Sequence, residues 1–159
     1  MKNKLNQLNR SLKLLTVVYL IVLGIGVTTG LVYIATTTSM TPSGTIEQYM
    51  GNDDEWEPKQ PKEFIDLLSQ AHQHIVMFSF IFLSIGFIFN RNSIIKGPLK
   101  LFLMIEPFIS IIVTFGGFFI LRYLAPSFVY VIIISSTLMY VCFYIMMIAS
   151  IYDLIKNKG

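Results

Sequence analysis

An all-α membrane fold is what this sequence predicts: a polytopic four-transmembrane-helix bundle, N-in/C-in. Three observations carry it. Apolar runs of about 20 residues, the length a helix needs to cross a bilayer, recur along the chain. Charged residues are only 13% of the 159 residues and hydrophobic ones 54%, where an ordinary soluble protein carries about 25% charged residues. The charges also segregate. Residues 41–70 hold seven acids against two lysines, while nine of the twelve basic residues lie in the N-terminal lead, the connection after the second run and the tail. Basic connections stay in the cytoplasm, so both termini are expected inside and residues 38–70 on the outer, periplasmic side.

The same composition excludes several functions. The length allows one membrane domain, residues 1–159, and no separate soluble catalytic domain. The net charge of +3 is no nucleic-acid signal, because the basic residues flank membrane segments instead of forming one patch. A single cysteine, Cys142, rules out an intramolecular disulfide. There is no P-loop, dinucleotide fingerprint, nucleophile elbow or zincin motif, so a self-contained enzyme is not expected.

The first helix is expected over about residues 12–37. Lys2, Lys4, Arg10 and Lys13 precede its apolar core, as in a signal peptide, but the core exceeds the roughly 7–15 residues of a signal h-region. It reads as a retained span. Gly26 and Gly30 form a G-x-x-x-G that lets a second backbone approach; a helix-packing face and a bed for a quinone or planar cofactor both follow from it. Residues 38–60 read as an acidic outer loop, punctuated as turns by Pro42, Gly44, Gly51 and Pro58, with Trp56 as an interface anchor. Pro61 suits the first turn of a second helix, 61–89. A third helix, 98–124, contains Glu106, Pro107 and Gly116-Gly117, and a fourth spans 128–155.

The residues that could carry chemistry are few. His72 and His74 are the only histidines and stand at the outer mouth of the second helix, His74 roughly 24 Å before Asn90 at about 1.5 Å per residue. Residues i and i+2 point to nearly opposite sides of a helix, so the two cannot chelate one ion. One is expected to face the bundle and the other lipid, loop or partner. Either could ligate haem b or copper, or hydrogen-bond a quinone, with Met40, Met50 or Met77, or a histidine of a second subunit, as second ligand and Arg122 for an anionic group or propionate. The bland alternative is a pair of interfacial histidines bonded to loop carboxylates, and a snorkelling Arg122. Glu106, roughly 12 Å into its helix from Pro98, is a costly intramembrane carboxyl and hence a functional candidate. Its structural alternative is a bond to Ser84 or to the carbonyl that Pro107 frees.

The stretch from Thr41 to His74 resembles a family of small four-helix bacterial membrane proteins. It shares T-P-x-G (Thr41-Pro42-Ser43-Gly44), Y-x-G-N (Tyr49-Met50-Gly51-Asn52) and H-x-H (His72-Gln73-His74). Gln48 stands where that family often has histidine, which weakens any metal or haem site using the position. The resemblance implies a bacterial inner-membrane location and an association with respiratory or redox systems. The expected function is therefore a non-catalytic subunit or accessory factor of a respiratory membrane complex, partnered by the bilayer and by other subunits or further copies, not by nucleic acid. A purely structural subunit and a small oligomeric transporter using Glu106 are the alternatives.

Overall fold

The computed structural model describes residues 4–53 and 58–156. Asp54, Glu55, Trp56 and Glu57, together with the ends of the chain, lie outside the described residues, and so does the expected anchoring by Trp56. The described chain forms five α-helices and, among those residues, no strand: α1 (Arg10–Thr38), α2 (Pro42–Met50), α3 (Phe64–Asn90), α4 (Gly97–Tyr123) and α5 (Val129–Ile155), with short 3-10 turns at Leu5–Gln7 and Pro126–Phe128. The four longer helices are long and apolar enough to cross a membrane.

The residues read as a run of turns after α1 contain a helix instead. Thr41 caps α2 by accepting the Gly44 N–H at 3.0 Å, with Pro42 in its first turn. A proline there loses nothing, because that N–H has no helical partner anyway. Ser39 and Met40 both adopt positive φ, 51° and 52°, which folds α2 back on α1. The corner is so tight that a Cβ on Gly44 would stand 2.1 Å from the Thr38 carbonyl oxygen. Gly51, at φ +83°, ends α2. T-P-x-G and Y-x-G-N are thus the start and stop of one helix.

Lys62 donates its backbone N–H to the Tyr49 carbonyl at 3.0 Å, and Asn52 donates to Lys59 at 3.0 Å. These bonds hold the approach to α3 extended, which delays the helix to Phe64 although Pro61 could have begun it.

α4 is the most buried of the spans and α1 the least. α4 lies between α3 and α5, and α1 rests on α2 and α5. The main core joins Phe82, Ile85 and Phe89 of α3, Leu103, Ile111 and Phe115 of α4, and Met139, Phe143 and Met146 of α5. A smaller core at the α2 end joins Tyr49, Leu67, Leu121, Val129 and Ile132. There the α4–α5 crossing needs Gly117, since a Cβ would come within 2.9 Å of Ile132 and 3.0 Å of Phe128.

The opposite end is closed by polar groups. Asp153, fully buried, accepts from the Ser93 N–H at 2.6 Å, the Ser93 hydroxyl at 2.7 Å and the Asn6 amide at 3.4 Å. Asn92 donates to the Ala149 carbonyl at 2.8 Å and accepts from Ile94 and Ile95. Lys100 donates to the Asn90 and Asn92 carbonyls, and Leu5 to Arg91. The N-terminal turn, the α3–α4 connection and the last turn of α5 are thereby gathered at one end.

Candidate functional site

The two histidines separate as their spacing requires. His72 is exposed and His74 half-buried. The His74 ring lies 5.0 Å from Phe115 and 6.1 Å from Phe78, centroid to centroid. Its Nδ1 stands 2.8 Å from the Gln70 carbonyl oxygen. A carbonyl can only accept, so Nδ1 carries a hydrogen, and in the neutral ring the lone pair falls on Nε2.

Of the other residues considered as ligands, Met40, Met50 and Arg122 lie at the corner of α2 with α1, on α2 and at the end of α4. Met40 is exposed in the α1–α2 corner and Met50 is half-buried at the end of α2. Arg122 donates through Nε to the Lys62 carbonyl at 3.2 Å and lies over the Tyr123 ring at 5.2 Å, stitching α4 to the lead-in of α3. No group of three or more His, Cys, Asp or Glu able to hold a metal occurs among the described residues.

Tyr49, read from the sequence only as part of Y-x-G-N, packs into the α2 end. The Tyr49 ring stacks on Phe118 at 4.1 Å, and its hydroxyl accepts from the Gln70 amide at 3.1 Å. Burial pushes the Tyr49 phenol well above the ordinary tyrosine value, more than the Gln70 bond lowers it. Asp153 escaped the sequence reading, although a signal existed. It is the only acid after Glu106 and sits in a helix's last turn, where the dipole disfavours an anion. Such an acid needs donors from elsewhere.

Glu106 is buried, 7% exposed. Its Oε1 accepts the Ser110 hydroxyl, its Oε2 is buried with no hydrogen-bond partner, and the Cys142 thiol adjoins it. Ser84, weighed from sequence as its partner, bonds Tyr19 at 2.6 Å instead. Gly26 and Gly30 are exposed on α1, and a Cβ on either would meet nothing within 4 Å. Close approach inside the chain falls on Gly24, where a Cβ would be 2.7 Å from the Met147 sulfur. Beside it a groove of about 490 Å³ runs between α1 and α5, lined by Ile21, Ile25, Val32, Met147 and Ile151 with the threonines 28 and 29.

Four membrane-length apolar helices packed together define a multi-pass α-helical membrane protein. The chain belongs to the Aq_1264_TM family, a transmembrane helical domain, whose model matches residues 39–159. The match begins at the residue after α1, so it covers α2 to α5. No curated protein and no solved structure matches the chain.

Proposed function

We propose that this protein is a non-catalytic subunit or accessory factor of a larger bacterial inner-membrane assembly, respiratory in kind, and that α1 is the helix through which it associates. The observation that carries the association is the outward face of α1. This is the least buried span, it precedes the family-matched region, and it turns Gly26 and Gly30 away from its own bundle. Small residues on a lipid-facing helix let another backbone approach closely, the main source of helix association where lipid removes the hydrophobic drive.

Both termini belong in the cytoplasm in this reading, with α2 outside. Lys4, Arg91, Lys96, Lys100 and Lys156 belong to the end tied together by Asp153 and Asn92, whereas Glu47 and Asp53 belong to the α2 end. Nine of the twelve basic residues on one side is the bias that orients a membrane protein.

Replacing Gly26 and Gly30 by leucine tests the association. Neither Cβ meets a neighbour, so the chain keeps its fold, and co-purification with its partner, or self-association, is expected to be lost. Retained association in both variants overturns α1 as the contact.

The redox part of the reading rests on His74, whose Nε2 lone pair suits a haem iron, a copper ion or a quinone hydroxyl. Oxidised and reduced visible spectra with metal analysis, on material extracted with its partners, test it. A Soret band or stoichiometric copper lost in His74→Ala and kept in His72→Ala supports it. A colourless, metal-free preparation that still co-purifies with a larger complex leaves a purely structural subunit.

A further inference from the structure

Among the described residues, Glu106 is the carboxyl with a buried oxygen that no hydrogen bond satisfies. One oxygen takes the Ser110 hydroxyl, while the other, Oε2, is buried without a partner. An intramembrane carboxyl left in this condition is costly and marks ion or proton traffic more often than packing.

Its neighbours define which ion it suits. From α5 the Cys142 thiol adjoins it, and Tyr140, two residues earlier, is turned to Phe78 of α3. α3 itself presents no titratable side chain between His74 and Arg91. Hard metal ions ask for about six oxygen ligands, which one carboxylate and one hydroxyl do not supply. A proton needs only a carboxylate oxygen and a hydroxyl path.

Such a path leads one way. Glu106, Ser110 and Thr114 recur at four-residue spacing, all buried, on one stripe of α4. Thr114 Oγ1 pairs with Ser135 Oγ of α5 at 2.8 Å. One turn beyond Thr114, Phe118 carries the stacked Tyr49 ring, whose hydroxyl is bonded to Gln70. Toward the other end Leu103, Met146 and Phe89, each 0–2% exposed, belong to the main apolar core, and the buried Ser150 hydroxyl there makes no hydrogen bond. The buried hydroxyls that follow Glu106 on α4 therefore lie on its α2 side, beneath the Tyr49–Phe118 stack.

We infer that Glu106 is a proton-exchange site, loaded and unloaded from the α2 side through Ser110 and the Thr114–Ser135 hydroxyl pair. On loading, an O–H bond of hydronium breaks and one forms on the Glu106 carboxylate; on unloading that bond breaks and the proton returns to water. This activity would belong to the single chain and does not require the α1 association.

Infrared difference spectroscopy on the full chain in lipid vesicles tests it. The expected result is a carboxylic C=O band, absent in Glu106→Gln, that disappears reversibly as pH is raised and shifts on transfer to heavy water. Ser110→Ala retains the carboxyl, so it should keep the band, move its frequency and slow the exchange severalfold. Thr114→Val should slow exchange without moving the frequency. A band that persists at every pH and does not exchange would make Glu106 a locked structural acid. Exchange as fast in Ser110→Ala and Thr114→Val as in the native chain would equally overturn the path. If Glu106→Gln does not fold, the frequency shift in Ser110→Ala still assigns the band.

Discussion

Asp153 shows how much a single buried carboxylate can organise. It takes two hydrogen bonds from Ser93 and one from Asn6, joining segments 60 and 147 residues apart in sequence. Asp153→Ala would strand the Ser93 N–H and hydroxyl in an apolar setting, and hydrogen bonds to charged groups contribute about 1.5–3 kcal/mol. The expected outcome is a loss of that order in stability, measured as a lower thermal midpoint in detergent, with Asp153→Asn falling between. At the other end, Tyr49→Phe removes the Gln70 bond but keeps the stacking on Phe118, so it should cost only about 0.5–1.5 kcal/mol. Tyr49 also sets a pH dependence. Its folded-state value is raised above the unfolded tyrosine value of about 10. Its contribution is therefore complete below that pH and falls away as pH rises further, toward the folded value. Thermal midpoints of the native chain should drop in alkali more steeply than those of Tyr49→Phe.

Among the elements, α2 depends on Gly44, whereas α1 does not depend on Gly26 or Gly30. Gly44 faces the Thr38 carbonyl at a separation no side chain tolerates, so Gly44→Ala is expected to break the α1–α2 corner and detach Tyr49 from Phe118. Loss of helicity and release of the phenol to an ordinary tyrosine titration would report this. Gly26→Ala is the control: nothing lies within 4 Å, and alanine favours a helix interior over glycine by up to about 1 kcal/mol. Its thermal midpoint should be equal or higher. The sequence shows both glycines alike. Only the position of the Thr38 carbonyl separates the indispensable one from the free one.

For the whole molecule, the charge distribution predicts sidedness. With Cys142 buried as the single native cysteine, a Cys142→Ser background is expected to be silent to a membrane-impermeant thiol reagent. Ser43→Cys, at the start of α2, should then label in intact cells, and Lys96→Cys, before α4, only after permeabilisation. The reverse pattern would invert the topology.

The number of spans, their approximate places and the charge bias between connections were legible from the chain alone. Hydropathy is a local sum over about 20 residues, and charge bias needs no knowledge of what touches what. The helical nature of residues 42–50 was not legible, because its glycines and proline read equally as turns until the Thr38–Gly44 approach is known. Which histidine turns inward depended on where Phe115 of α4 lies, and whether Glu106 finds Ser84 or Ser110 depended on helix rotation. Asp153 needed Asn6 and Ser93 brought to it across the length of the chain. Membrane insertion is decided by each segment against lipid, one at a time. A site is decided by distances between segments remote in sequence, and only the packed bundle sets those.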